Sequence, residues 1–296
     1  MQHPLNPRSI ILETAFNKKR MEETKRKIVG ILKSLHGIDA TKYDAYFLER
    51  SIRKRIIETH CATEAVYFNL WENNNKEGEV FFDSLNICYT EFFRNPLTFA
   101  VLERIILPSI VLKRGNVKQK EIRIWSAACA AGQEAYSLAM LMEERINEGK
   151  DKLNYRIFVT DEMESQVNAA EEGRYAAADL NNLNMKRVNQ WFTNNGDTFT
   201  VKNDLKKHID FSVFDLFSDQ LSCPSASIFG DFDLVICANI LFYYKPEYQK
   251  KILKKMSDSL AHGGYLVTGE TERDIILKQN YIEVFPQSAI FQRLER

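Results

Sequence analysis

Two hydrophobic periodicities divide the chain. From residue 9 to about 85 the apolar positions keep helical spacing: Ile10, Ile11, Phe16, Met21, Ile28, Ile31 and Leu32 recur at roughly every third or fourth place. A long helix is predicted over Tyr43–Thr59, which contains neither Pro nor Gly, with Asp39 and Thr41 as candidate caps. Along it Leu48, Ile52 and Ile56 form an apolar stripe, while Arg50, Arg53 and Lys54 share the opposite face. Ile57 occupies the next position on that face, so the basic patch is about one turn long, and Arg55 falls near the edge of the apolar stripe.

After residue 120 short, nearly unbroken apolar runs alternate with amphipathic stretches. Ile122–Ala127, Tyr155–Thr160, His208–Phe214, Phe232–Ala238 and Tyr265–Gly269 read as strands. Glu134–Ile146, Ser165–Glu172 and Pro246–Leu260 read as helices, the last opening on Pro and closing before Gly263-Gly264. Ile282–Phe285 and Ala289–Arg293 are close enough to pair as a hairpin. Strands apolar on both sides and alternating with helices predict a doubly wound, Rossmann-like α/β sheet, here with an antiparallel edge and preceded by a small helical domain. Residues 191–207 interrupt the alternation. There Asn194-Asn195-Gly196-Asp197 followed by Thr198–Val201 predicts an inserted β-hairpin. The expected organisation is a helical domain over 1–85, a linker with a connecting helix over 86–120, and the α/β domain over 121–296.

Composition narrows the class. Apolar residues at 45% and charged residues at 27% are globular proportions. No 18-residue window is free of charge, so no transmembrane segment is expected, and Met1–Ile11 lacks a secretory layout. The five cysteines form no C-x-x-C and the histidines no H-x-x-x-H pair, so neither a disulfide framework nor a metal site is expected. A cytoplasmic protein with reduced thiols follows. Net charge is zero, yet residues 1–60 hold 13 Lys/Arg against 7 Asp/Glu, leaving the remainder at −6. A basic front on an acidic body suits an anionic partner, and a merely solvated helical surface is the plainer alternative.

In open α/β sheets ligands bind beyond the carboxyl ends of the strands, so the residues just after each strand matter most. After the first strand, Ala128–Gln133 is small and contains Gly132; it is neither G-x-G-x-x-G nor a P-loop, which counts against a pyrophosphate. Glu134 would repel phosphate but could hold an ammonium group, or simply stabilise the dipole of its own helix. Asp161 ends the second strand. It could accept both hydroxyls of an adenosine ribose, or cap the segment that follows. Asn239 ends the fourth strand and leads into Ile240-Leu241-Phe242-Tyr243-Tyr244, an apolar and aromatic run suited either to a methyl-transfer pocket or to an ordinary core. Together these features fit a nucleoside with a cationic amino-acid end and no phosphate, the description of S-adenosylmethionine.

Several ordered motifs resemble the CheR family of chemoreceptor glutamate methyltransferases. Thr90-Glu91-Phe92-Phe93-Arg94 resembles its T-x-F-F-R, and Ile124–Cys129 with Gly132–Ser137 resembles W-S-A-A-C-S-T-G-E-E-P-Y-S. Thr160-Asp161 matches the start of T-D-I-D, Gly173-Arg174-Tyr175 matches G-x-Y, and Cys237–Tyr244 resembles C-R-N-V-L-I-Y-F. Gly263-Gly264-Tyr265 and Gly269–Glu272 resemble G-G-Y and G-H-S-E. The likeness runs from about residue 28 to the end. Departures are Cys88 for Asn, Gln133 for Glu, Ala135 for Pro, Met163 for Asp, Ala238 for Arg and Asp215 for Asn.

The resemblance implies a methyltransferase fold, binding of S-adenosylmethionine and of S-adenosylhomocysteine as product, and specific roles. Thr90 and Arg94 lie on the segment joining the domains, Glu134 takes the methionyl end, Asp161 the ribose, Asp215 and Leu216 the adenine side, and Asn239 closes the site. Arg94 and Tyr243 are implicated in catalysis. The implied reaction is methylation of glutamate carboxylates on a chemoreceptor-like helical protein, with the alternative of a non-catalytic cofactor-binding sensor or scaffold that keeps the fold. A glutamate side chain is already ionised at neutral pH, with an ordinary pKa near ~4.3, so no general base is expected. Arg50, Arg53 and Lys54 correspond to a basic helix thought to dock the substrate, and the inserted hairpin to a site for a receptor-tail peptide, although its loop is short here. A nucleic-acid substrate is not expected, because Asn239-Ile240-Leu241-Phe242 is apolar where an amino-methylating Asn-Pro-Pro-Tyr loop would be. A monomer is expected.

Overall fold

The computed structural model describes residues 7–85, 89–115, 121–148, 154–227 and 230–294, with side chains from Lys19 onward. Cys88 and the side chains of Ile10, Ile11 and Phe16 lie outside the described residues. The chain forms two compact units, one of residues 1–87 with 242–249 and one of residues 88–241 with 250–296.

The first unit is helical: α1 (Pro7–His36), α2 (Ala45–Glu58), α3 (Glu64–Glu72) and α4 (Asn75–Leu85). Leu48 and Ile52 of the predicted stripe are fully buried beside Ile28, Leu32, Tyr67, Trp71 and Phe81, and Ile56 packs at the margin. The cap of α2 is Asp44, which accepts from the Tyr46 and Phe47 amides, and not Asp39 or Thr41. Asp39 instead accepts from the Thr41 amide in a turn of its own, because its carboxylate reaches a donor two residues on before the helix begins. Arg55 turns inward to a bidentate pair with Glu77, whose Oε1 also accepts from the Tyr67 hydroxyl. The 242–249 segment completes this core: Tyr244 stacks on Tyr43, and Tyr243 lies against Phe47 with ring centroids 4.7 Å apart.

The second unit opens with α5 (Pro96–Val101) and α6 (Leu107–Gly115), joined through a π-turn at Leu102–Ile106. The sheet follows, with β1 (Glu121–Ala127), α7 (Gln133–Glu148), β2 (Asn154–Asp161) and α8 (Glu164–Glu172). Next come β3 (Arg174–Ala176), α9 (Met185–Trp191), β4 (Phe192–Asn194), β5 (Thr198–Val201) and α10 (Asn203–Lys206). The chain ends with β6 (Ile209–Val213), β7 (Phe232–Ile236), α11 (Pro246–Ser259), β8 (Leu260–Val267), α12 (Arg273–Leu277), β9 (Tyr281–Glu283) and β10 (Ile290–Arg293). The main sheet has the order β6-β2-β1-β7-β8-β10-β9. Its first five strands are parallel, and β10 and β9 form the antiparallel edge. All of β7, the second half of β1 and residues 157–160 of β2 are buried, as expected for strands covered on both faces. From β1 the chain builds outward through β2 to β6 and then returns to place β7 on the other side of β1. The switch point, and hence a ligand crevice, lies where β1 and β7 adjoin.

One local expectation is corrected and another is extended. Gly263-Gly264 does not terminate α11: that helix passes directly into β8, and the glycines sit inside the strand at a register shift opposite Phe232–Leu234. A Cβ on Gly264 would stand 2.9 Å from the Phe232 carbonyl oxygen, so strand proximity, not a helix stop, requires the glycine there. The inserted hairpin is the β4–β5 pair of a three-stranded sheet whose third member, β3, comes from the Gly173-Arg174-Tyr175 segment. A three-residue strand paired to a distant one leaves no periodicity to read. Among the described residues no helix is long and apolar enough to cross a membrane.

Candidate active site

The loop after β1 is wound tightly. Ala128 (φ 57°), Ala130 (φ 47°) and Gly132 (φ 87°) all take left-handed backbone, which is unfavourable for the two alanines by roughly 1–2 kcal/mol each. Cross-links hold it: the Cys129 amide donates to the Thr160 carbonyl at 2.9 Å, and the Tyr175 hydroxyl to the Ala131 carbonyl at 2.7 Å. Gly132 must be glycine, since a Cβ there would lie 2.8 Å from Cβ of Ala170. Asp161, at the end of β2, fastens the loop. Its Oδ2 accepts from the Ala130 amide and its Oδ1 from the Met163 amide, both at 3.0 Å. The cap of α8 is Met163, without a side-chain bond, so the carboxylate's second oxygen serves the α8 approach and its first the β1 loop. Burial pushes the Asp161 pKa up, and the two amides oppose that shift.

Glu134 stands in the first turn of α7 and is half-buried; Oγ of Ser126, from the end of β1, donates to its Oε1 at 2.8 Å. Desolvation lifts its pKa to about 7; the Ser126 hydrogen bond and the nearby Arg94 charge pull it down, while Glu272 raises it further. The position is therefore more than a dipole-stabilising helix carboxylate, which would sit in water. The neighbouring Gln133 is buried and leaves its Oε1 without a hydrogen-bond donor among the described residues.

Arg94 is fixed by the segment around it. Phe92 and Phe93 are buried, Phe93 (φ 48°) and Asn95 (φ 57°) are left-handed, and the Phe93 amide donates to Oγ of Ser137 at 2.9 Å. Arg187, paired bidentately with Glu144, lies over the Phe93 ring at 4.1 Å. The half-buried Arg94 head stacks over Tyr89 at 5.1 Å and donates to its carbonyl at 2.9 Å. Thr90 is half-buried on the same segment.

Beyond β7, Asn239 (φ 64°) is left-handed and half-buried. Beyond β6, Asp215 is exposed and accepts from the Phe217 amide in a turn, whereas Leu216 is buried; the Phe214 amide bonds back to the Asp161 carbonyl at 2.9 Å. The structure thus places Asp161, Asn239, Asp215 and Leu216 at or just beyond the carboxyl ends of strands of one unit, with Glu134 in the helix that follows β1 and Arg94 on the segment before α5 of the same unit. Tyr243 belongs to the helical unit, as do Arg50, Arg53 and Lys54, which are exposed on α2; Arg53 pairs with Glu49 and Lys54 with Glu58. One carboxylate of the site was missed: Glu272, completely buried beneath Asn239. Its only signal was its place in the G-H-S-E-like stretch, to which no role was attached.

Two of the departures from the family pattern are accommodated. Met163 still donates its amide to Asp161, and Ala135 is fully buried inside α7. The donor set fits a cofactor with a ribose diol and a cationic end: two half-buried carboxylates with acceptor capacity left over, an open Gln133 oxygen, and backbone brought close by left-handed residues.

Comparison with known proteins agrees. A family model described as "CheR methyltransferase, SAM binding domain" matches residues 89–289. A chemotaxis protein methyltransferase of Listeria innocua is 29% identical over 237 residues, 80% of this chain and 85% of its own. Chemotaxis protein methyltransferase 1 of Pseudomonas aeruginosa is 32% identical, covering 66% and 69%, and the Escherichia coli chemotaxis protein methyltransferase is 24% identical, covering 94% of both chains. The matched span includes every strand-end carboxylate described above, and the chain is a methyltransferase belonging to the CheR family.

Proposed function

We propose that the protein transfers the methyl group of S-adenosylmethionine to glutamate side chains of a chemoreceptor-like helical protein in a chemotaxis pathway. The observation that carries this reading is the half-buried Glu134, its pKa pulled down by the charge of Arg94, beside the Asp161-braced loop at the switch point. The cofactor supplies an electrophilic methyl on a sulfonium. In the transfer, a carboxylate oxygen forms the new C–O bond as the C–S bond breaks, leaving a methyl ester and a neutral thioether.

The protein's own residues bind and align. Ionised Glu134 pairs with the ammonium of the methionyl end, Asp161 accepts the ribose hydroxyls, Leu216 packs on the adenine with Asp215 at its edge, and Asn239 closes the site with Thr90 at the rim. Arg94 orients the incoming carboxylate, and Tyr243 takes part at the methyl. Because the nucleophile arrives ionised, alignment is the main contribution, and positioning of this kind supplies on the order of 7–11 kcal/mol. Arg50, Arg53 and Lys54 dock the acidic helical substrate. The protein acts in the cytoplasm as a monomer, organised as a helical domain over 1–85, a connecting segment over 86–120 and the catalytic domain over 121–296. Peptide mass spectrometry of a chemoreceptor cytoplasmic fragment incubated with enzyme and S-adenosylmethionine tests this: methyl groups are expected on glutamate, and their appearance on lysine or arginine alone would refute it.

A further inference from the structure

Glu272 has no part in the roles above, yet three backbone amides converge on its carboxylate. It is 0% exposed. Its Oε2 accepts from the amides of Asn239 and Gly269, each at 2.8 Å, and its Oε1 from the amide of Leu241 at 2.6 Å. The first and third donors belong to the loop after β7 and the second to the loop after β8, so one side chain ties together the ends of two adjacent parallel strands. The Glu272 amide closes the arrangement by donating back to the Gly269 carbonyl at 3.0 Å.

The loop so held is conformationally demanding. Asn239 is a non-glycine residue at φ 64°, a state that persists only where surroundings over-determine it. Its side chain also occupies the space left by Gly269, where a Cβ would stand 2.6 Å from Oδ1 of Asn239. Burying a carboxylate is costly unless hydrogen bonds satisfy it, and here the backbone amides supply them. An aliphatic residue would leave three buried amides without acceptors, each costing roughly 1–3 kcal/mol.

We propose that Glu272 is a positioning residue for the methyltransferase reaction: it fixes the left-handed Asn239 and so sets the cofactor-closing side of the site. This rests on the assignment of Asn239 to the cofactor. Glu272 reaches no cofactor atom itself and acts through the loop. Burial lifts its pKa to about 7 against the pull of the loop amides.

A double-mutant cycle on the full-length enzyme tests this, using Glu272→Gln, Asn239→Ala and the pair, with S-adenosylhomocysteine binding by calorimetry and steady-state kinetics as readouts. Glutamine keeps one oxygen but turns an NH2 toward an amide. Glu272→Gln is expected to weaken S-adenosylhomocysteine binding at least tenfold and to raise KM for S-adenosylmethionine by a similar factor, with kcat at saturation within about threefold. Combined with Asn239→Ala, it should weaken binding no more than about twofold beyond the worse single variant, because both act through one contact. Full multiplication of the two effects, or normal binding in Glu272→Gln while Asn239→Ala is impaired, overturns the positioning role. Normal binding in Asn239→Ala overturns the cofactor assignment beneath it. Should the glutamine variant fail to fold, Glu272→Asp keeps the charge but withdraws it by one methylene, and the same cycle applies with the same expectations.

Discussion

The half-buried Glu134 makes opposite demands on the empty and the loaded protein, and Glu134→Gln separates them. Its pKa of about 7, against an ordinary 4.5, means that the native apoprotein holds this proton more tightly than the unfolded chain. The stabilising contribution is therefore complete below about pH 4.5 and is lost as pH rises through 7. Converted at about 1.36 kcal/mol per pH unit, ionising the group at pH 8 costs the apoprotein up to about 3 kcal/mol. Glutamine removes that titration, while its carbonyl oxygen still accepts from Ser126. Relative to wild type, the apo variant should gain stability between pH 5 and pH 8, by up to about 10 °C in Tm at about 2–4 °C per kcal/mol. The same variant should bind S-adenosylhomocysteine at least tenfold more weakly at pH 8, a loss of about 1.4 kcal/mol or more, because the ammonium no longer meets a carboxylate. Scanning calorimetry of both apoproteins at the two pH values, followed by ligand titration, measures both effects. A Tm difference that does not change with pH would refute the desolvation argument, and unaltered affinity would refute the methionyl assignment.

Asp161→Ala should weaken S-adenosylhomocysteine binding about tenfold or more and lower Tm by a few degrees, since the Ala130 and Met163 amides lose their acceptor; wild-type affinity by calorimetry would remove the ribose role. Arg94→Ala should abolish methyl transfer with a near-normal Tm; a large loss of stability with residual turnover would make it a structural residue. Gly269→Ala is sterically isolated, because the backbone there (φ −71°) accepts alanine while the new Cβ meets Asn239. It should raise KM for S-adenosylmethionine in steady-state assays, and an unchanged KM would show that Asn239 is not needed in place. Reversing Arg53 and Lys54 to Glu should weaken receptor-fragment docking without altering S-adenosylhomocysteine affinity, and raised salt should do the same to the wild type, since exposed charges are screened beyond roughly 8 Å at physiological salt. Turnover indifferent to both would leave α2 a solvated surface.

Much of the architecture was legible because it rests on burial. The β7 run Phe232–Ile236 is apolar at four of its five places and buried throughout, and such runs between amphipathic helices leave few alternatives to a covered parallel sheet. Asp161 and Asn239 were singled out because strand ends in such a sheet are where side chains reach a ligand, and Glu134 because it opens the helix after the first strand. What stayed hidden depends on contacts distant in sequence. β3 is defined by its pairing with β5, and Asp44 displaced Asp39 and Thr41 as a cap because α2 begins after the Tyr43 turn. Glu272 read as one acid among many in Glu270-Thr271-Glu272; only folding brings three amides around it. The left-handed Ala128 and Ala130 give no sequence sign either, since alanine is not the residue that such backbone advertises.

The central claim is that the methyl acceptor is a carboxylate, and the chemical lability of the product tests it most directly. A chemoreceptor cytoplasmic fragment is incubated with the enzyme and methyl-labelled S-adenosylmethionine, then treated with mild alkali. A methyl ester releases its label as volatile methanol, whereas methylated nitrogen keeps it. Release of the incorporated label by alkali, lost together with transfer in Arg94→Ala, is the expected result. Label that survives alkali, or no incorporation by an enzyme that binds S-adenosylhomocysteine, would contradict it.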